Sequence, residues 1–321
     1  MGAQHLAAEA EAAAEGWRGG GPPVPLVPPS LAPGTPRALA AAHSLLAPAT
    51  LRAAVLRAPE RIALRLGTAT EGRDATLVAR RLAEAGFCVC AAGLRGAVSA
   101  SAAAEARALH RRGELRSKGF VRRGRRLPHD PTQRTDLCVM LGDEPCHPLH
   151  ASTTALLAID AAIERFARRV VERMARLTAR QRRLMGGGPS GERLRYSGRG
   201  DMMVAVYPGG GSFHGAHIDN QDGDGREHDF GRVLTFIYYL NQDWKDEDGG
   251  ALRIFLPSIC AEHDPIARAA MAAGISPVVD ILPELDTLAI FRADRVIHEV
   301  RPCPTRHRYA ASVWVTCSGE C

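Results

Sequence analysis

The chain has 321 residues, 45% hydrophobic and 5% aromatic, with a net charge of +6 and a pI near 9.1, enough for one large domain or two small ones with a substantial core. No apolar run reaches membrane-spanning length and no basic n-region leads into a hydrophobic stretch, so neither a membrane anchor nor secretion is expected. The eight cysteines contain no Cys-x-x-Cys pair, which argues against a zinc knuckle and for reduced thiols inside a cell.

Residues 1–50 are rich in Ala, Pro and Gly, a composition that does not repay its ordering entropy, and are expected to be disordered. The Ala- and Arg-rich stretch from Arg37 to Arg65 is of the kind found in organelle transit peptides, but Glu9, Glu11 and Glu15 ahead of it oppose that reading. An intracellular location, cytoplasmic or nuclear, is expected. Residues 51–321 then form the folded domain. Asp74 is placed to cap a helix through Leu77, Val78, Leu82 and Ala83 that stops at Gly86, and Phe87–Cys90 reads as a strand. From His110 to Arg126 the chain is strongly basic, with Arg122, Arg123, Arg125 and Arg126 at its end. Only Phe120 interleaves as an aromatic, so no nucleic-acid partner is expected, and the stretch reads as a solvated loop or as an attractor for acidic segments.

Leu137–Leu141 reads as a strand broken by Pro145 and Pro148. A long amphipathic helix is expected from about Ser152 to Met185, with Leu156, Ile159, Ile163, Phe166, Val170, Met174 and Leu177 along its apolar face and Gly186 at its end. The period then changes to two. Met202–Tyr207, Val233–Leu240, Ala251–Leu256, Thr287–Phe291 and Tyr309–Thr316 are strand-like and closely spaced, which points to an antiparallel double sheet. The fold class is therefore α+β: a jelly-roll core with supporting helices packed on one sheet.

Two side chains in this region suggest a metal site. His217 and Asp219, two residues apart on an extended segment after a Gly-rich turn, point the same way. His298, just after an apolar strand, is the candidate third ligand. Two histidines and one carboxylate with open positions is the arrangement of non-haem Fe(II) oxygen chemistry. Strand alternation puts Met203, Ala205 and Tyr207 on one face, Val233, Thr235, Ile237 and Tyr239 on another, and Arg308, Ala310, Ser312 and Trp314 on a third. An arginine between small residues inside a barrel needs an anionic partner, and a bound carboxylate gripped by its planar guanidinium is the natural one. Tyr239, Tyr207 and Thr235 could add hydroxyls there.

Met203 to Gly209, His217-x-Asp-Asn-x-Asp-Gly-Asp-Gly-Arg226, Leu234 to Trp244, Gly249-Gly-Ala-Leu-Arg-Ile-Phe255, His298-Glu-Val300 and Arg308-Tyr-Ala-x-Ser-Val-Trp314 occur in one collinear series. This series resembles the oxygen-sensing prolyl 4-hydroxylases that act on hypoxia-inducible transcription factors. The resemblance is dense from Asp201 to Val315 and does not reach the first 50 residues. It implies a double-stranded β-helix that uses Fe(II), 2-oxoglutarate, O2 and ascorbate to hydroxylate a prolyl residue at C4. It further implies His217, Asp219 and His298 as iron ligands, Arg308 with Tyr239, Tyr207 and Thr235 as the 2-oxoglutarate site, Met203, Ile237, Leu252 and Trp314 as pocket lining, and Arg232 at the substrate entrance.

Three departures from the family pattern stand out: an insertion from Glu227 to Gly231, a short segment from Asp294 to Ile297 without its proline, and no N-terminal zinc finger. The partner implied is a proline-containing protein or peptide, with acidic flanks favoured by the basic stretch. Two alternatives stay open: a related oxygenase acting on a ribosomal protein or ubiquitin-ligase component, and a catalytically silent module that binds acidic segments.

Overall fold

The computed structural model describes residues 53–56, 58–66, 68, 71–94, 96–122, 125–142, 148–177, 193–220, 231–256 and 276–320. The expectations for residues 1–50, most of the Glu227–Gly231 insertion, the Pro145 break and the Gly186 helix stop lie outside these residues. Three helices are described: α1 (Glu71–Ala85), α2 (Gly96–Arg111) and α3 (Thr154–Ala175). Two facing sheets form the core. The larger runs β2 (Ile62–Ala63), β3 (Phe87–Ala91), β13 (Thr287–Arg292), β10 (Arg232–Tyr239), β15 (Arg308–Glu320), β8 (Met202–Tyr207), β6 (Leu137–Leu141), with β7 (Arg193–Arg199) beside the end of β15. The smaller runs β1 (Ala53–Leu56), β12 (Ser276–Ile281), β11 (Leu252–Phe255), β14 (His298–Cys303), β9 (Ser212–His217). This is a double-stranded β-helix, antiparallel apart from the β1–β12 and β2–β3 pairs.

The period-two residues sort the sheet into two faces. On β8, β10 and β15 the outward set (Val204, Val206, Leu234, Phe236, Tyr238, Ala311, Val313, Val315) joins the helices in one apolar cluster. The helix faces meet it as their spacing predicts: Leu156, Ile159, Ile163, Phe166 and Val170 of α3 are fully buried, as are Val78, Ala79 and Leu82 of α1. The inward set (Tyr207, Ile237, Tyr239, Ala310) packs with Leu252, Ile254, Val279 and Ile281 of the smaller sheet. Val233 departs from the expected inward face and lies in the helix-side cluster, next to a register irregularity between Arg232 and Leu234.

Helix ends also differ from expectation. Asp74 does not cap α1, which begins at Glu71; its carboxylate instead accepts from the Arg65 amide at 3.2 Å. Gly86 ends α1 with φ +78°, a conformation that suits glycine. α3 stops at Ala175, well before Met185, with Arg176 as its C-cap. Its N-terminus has no side-chain cap from Thr153. Glu105 of α2 serves instead, accepting from the Ala155 and Leu156 amides at 2.9 Å each, so a carboxylate from a neighbouring helix meets the orphan donors and the positive end of the dipole. The basic stretch is not one loop. α2 runs to Arg111, Arg116 bridges to Cys138, and β4 (Phe120–Arg122) pairs with β5 (Arg125–Leu127) in a hairpin.

Candidate active site

β8 ends at Tyr207, glycines 209–211 turn the chain with positive φ, and β9 brings it back to His217. β14 begins at His298 and pairs with β9 so that His298 stands directly opposite His217. Register therefore joins two imidazoles that are 81 positions apart in the chain. Asp219 lies just beyond the end of β9 rather than within it. The turn behind it is pinned by Asn220, whose amide donates to Ala293 O and whose side chain donates to Arg232 O, both at 2.8 Å.

One ligand atom from each of His217, Asp219 and His298 lies within 4.8 Å of the other two. Among the described residues this is the one such group of three or more. Each histidine places Nδ1 on a backbone carbonyl, His217 on Gly215 O at 2.8 Å and His298 on Val296 O at 3.1 Å. A carbonyl only accepts, so Nδ1 carries the proton and the Nε2 lone pair points into the cluster, as metal binding requires. Burial, reinforced by His217, pushes His298 down to about 4, which keeps it neutral near pH 7. For Asp219 burial alone would raise the carboxyl; the neighbouring His298 and His217 outweigh it and hold the group well below the usual carboxylate range.

Phe291, whose ring lies 4.5 Å from that of His298, packs in one cluster with Tyr207 and Tyr239, the walls of a cationic pocket. Arg308 is 1% exposed, its Nε donates to Gly250 O at 2.7 Å, and its guanidinium sits 4.8 Å from the Tyr207 ring and 5.1 Å from the Tyr239 ring. Among the described residues no carboxylate pairs with it, and the buried Tyr239 hydroxyl has no hydrogen-bond partner. Burial raises both phenols, Tyr239 to about 12, so they remain neutral donors. A buried cation and an unpartnered donor side by side suit an anionic ligand with two oxygens.

The other expected site residues are placed as follows. Ile237 and Leu252 are buried in the inner cluster with Tyr207 and Tyr239. Met203 is half-buried, paired with Ser312 on one side and Met140 on the other. Arg232 lays its guanidinium over the Trp314 ring at 4.3 Å. Thr235 and Trp314 are turned toward Asp219 rather than Arg308: the hydroxyl donates to Asp219 Oδ2 at 2.6 Å and the indole N–H to the same oxygen at 3.0 Å.

Other residues of the site escape a reading of the sequence. Arg134 and Asp136 form a buried two-point ion pair, with Nε on Oδ1 at 2.6 Å and Nη2 on Oδ2. Their segment docks along β9, where the Gly215 amide donates to Gln133 O at 2.7 Å. His214 stacks on His217 with ring centres 3.9 Å apart. Burial holds His214 well below its ordinary value, and His217 adds to the effect. The Gly249–Gly250 pair is more than a turn. A Cβ on Gly249 would lie 2.6 Å from Pro302 O, and one on Gly250 3.0 Å from Arg308 Cδ, so both positions need glycine for the backbone to reach the guanidinium. Arg-x-Asp just ahead of β6 and a Gly-Gly pair ahead of an apolar strand are the available signals.

Comparison with known proteins agrees with this geometry. Residues 202–316 match the 2OG-Fe(II) oxygenase superfamily. The rat protein "Egl nine homolog 1" is 42% identical over 122 residues, 37% of this chain and 29% of its own length. The mouse "Prolyl hydroxylase EGLN3" is 40% identical over 118 residues, 36% of this chain and 40% of its own length. The match thus spans well under half the length of these curated relatives. A solved prolyl hydroxylase of Trichoplax adhaerens, in complex with a hypoxia inducible factor oxygen degradation domain peptide, superposes with a TM-score of 0.56 at 26% identity, covering 77% of this chain and 90% of that one.

Proposed function

We propose that this chain, whose residues 202–316 belong to the 2OG-Fe(II) oxygenase superfamily, is an Fe(II)- and 2-oxoglutarate-dependent dioxygenase that hydroxylates a prolyl residue at C4 in an intracellular protein. The observation that carries this reading is that the His217–Asp219–His298 cluster shares an interior with a buried Arg308 that no carboxylate pairs with among the described residues and a Tyr239 hydroxyl without a hydrogen-bond partner, Phe291 packing both on the His298 ring at 4.5 Å and in the cluster of Tyr207 and Tyr239. A metal alone would need only the first, and an anion alone only the second. The curated relatives named as prolyl hydroxylases and the Trichoplax enzyme with its bound peptide favour proline as the target and oxygen sensing as the role.

The residues present fit the groups this reading requires. His298 Nε2 and a low-pKa carboxylate are ready for a divalent ion without prior loss of a proton near pH 7, and His217, its Nδ1 held by Gly215 O, turns its Nε2 the same way. Arg308 and Tyr239 would hold the distal carboxylate of 2-oxoglutarate, with the Gly250 carbonyl fixing the guanidinium and the Tyr207 ring backing it. This leaves the keto acid end directed toward the cluster. Bound Fe(II) would supply the redox chemistry that couples decarboxylation of 2-oxoglutarate by O2 to transfer of one oxygen atom to the prolyl C4–H bond, giving succinate, CO2 and hydroxyproline. The apolar walls of Ile237, Leu252 and Ile254 exclude water from that space. Arg232, held over Trp314, would then serve as the substrate-entrance residue. Ascorbate would serve as auxiliary reductant.

The basic stretch of the sequence that includes Arg122, Arg123, Arg125 and Arg126 would favour a target proline flanked by Asp or Glu through salt-screened attraction. The test is incubation with Fe(II), 2-oxoglutarate and proline peptides of acidic and neutral flank, read by mass spectrometry. The reading expects one added oxygen on proline, with the acidic peptide preferred and that preference lost when the four arginines are replaced by serine. Succinate formation with no oxygen on any proline peptide would overturn proline as the target. Equal use of both peptides by parent and variant would overturn the role of the basic stretch.

A further inference from the structure

The proposed function accounts for the ligands and the cosubstrate clamp, but not for the two donors that converge on one oxygen of Asp219. Thr235 Oγ1 lies 2.6 Å and Trp314 Nε1 3.0 Å from Oδ2, while Oδ1 faces His217 Nε2 at 3.5 Å. An sp² carboxylate oxygen has two lone pairs, so the hydroxyl and the indole N–H saturate Oδ2. Oδ1 keeps its own lone pairs beside His217, while His298 Nε2 lies 3.8 Å from Oδ2, farther than either donor. The two donors come from adjacent strands: Thr235 stands directly opposite Trp314 in the β10–β15 ladder. The Arg232 guanidinium covers the Trp314 ring at 4.3 Å.

We infer that Thr235 and Trp314 are positioning residues that together hold Asp219 as a one-oxygen metal ligand, with Arg232 clamping Trp314 in place. This rests on the oxygenase reading above. It assigns Thr235 to the metal side of the site and removes it from the cosubstrate clamp. Saturating Oδ2 stops the carboxylate from turning to offer both oxygens, so one more position beside the ion stays open to 2-oxoglutarate or O2. Charge-assisted donors of this kind also stabilise the ionised form of Asp219.

The experiment is a Co(II) titration of metal-free protein, followed by the visible spectrum of the bound ion, for the parent, Thr235→Val, Thr235→Ser and Trp314→Phe. Removing a partner of this type weakens metal binding by about 10–100-fold. The inference therefore expects that loss in Thr235→Val and Trp314→Phe, together with an altered Co(II) spectrum, and near-parent behaviour in Thr235→Ser. At saturating metal, Thr235→Val should leave the KM for 2-oxoglutarate unchanged. Thr235→Val is close in volume to the parent and differs from Thr235→Ser in lacking the hydroxyl, so the pair isolates that group even if Trp314→Phe folds poorly. Parent-like affinity and spectrum in Thr235→Val would overturn the inference. A raised KM for 2-oxoglutarate with unchanged metal affinity would overturn it in favour of a direct cosubstrate contact. A parent that takes up no Co(II) would instead sink the oxygenase reading beneath it.

Discussion

Tyr238 and Tyr239 are neighbours on β10 and point to opposite faces of one sheet. The Tyr238 hydroxyl, on the helix side, is bonded to Ser99 Oγ at 2.8 Å and Asp286 Oδ1 at 2.9 Å. The Tyr239 hydroxyl, on the inner side, is as deeply buried and has no partner among the described residues. The same contrast holds along the strands. Outward residues of β8, β10 and β15 are apolar and pack on α1, α2 and α3, while the inward set includes Tyr207, Thr235, Tyr239, Arg308, Ser312 and Trp314. One face satisfies itself. The other is complete only when it holds something the chain does not supply.

If that division is right, changes on the inner face remove chemistry and leave the fold, and changes on the outer face do the reverse. The largest effect is expected for His298→Ala. It should abolish metal-dependent turnover with little loss of stability, because the ligand sits in a sheet already paired through β9 and β11; ordinary succinate formation would break the assignment. Phe236→Ala, on the opposite face and fully buried against the helices, should cost about 3–5 kcal/mol of stability while the variant that remains folded keeps parent-like metal binding. Chemical denaturation and metal titration on one sample decide it. Arg308→Ala should weaken 2-oxoglutarate binding by about 1.5–3 kcal/mol, with Arg308→Lys a partial rescue because lysine lacks the planar fork.

The smallest effect concerns pH and the outer layer. Hydrogen bonding to Arg168, with Arg199 nearby, holds Glu164 of α3 below its ordinary 4.5. A depressed carboxyl contributes stability above its unfolded value and loses it as pH falls through the folded one. Parent stability should thus fall as pH drops below 4.5, and Glu164→Gln should be less stable at neutral pH with a shallower acid slope. Identical slopes would show that the network contributes nothing measurable.

Much of the inner face was legible because period-two alternation assigns faces without any knowledge of pairing. Tyr207, Tyr239, Ile237 and Arg308 face the interior as their spacing required, and among the described residues Arg308 has no acidic partner. The missed features depend on register or on turns. Thr235 shares a face with Tyr239, but which centre it serves depends on Trp314 standing opposite it across β15. The Arg134–Asp136 pair gains meaning only when its segment docks on β9, and Gly250 matters through its carbonyl, which sequence does not aim. α2 gives a weak signal because its buried positions are a serine, three alanines and one leucine, so it carries little amphipathic contrast although its backbone propensity is high. α3 was overextended because apolar spacing continues to Leu177 after the helical hydrogen bonds stop. In each case a local pattern was right about the face and silent about the neighbour.

The central claim is that the metal cluster and the Arg308 pocket form a single site. The most direct test is calorimetric titration of 2-oxoglutarate into the Mn(II)-loaded protein and into the metal-free protein, each with Arg308→Ala as control. The account predicts one molecule bound per chain when metal is present, much weaker binding without it, and a large loss in Arg308→Ala under both conditions. Binding of equal strength with and without metal, or binding indifferent to Arg308, would contradict it.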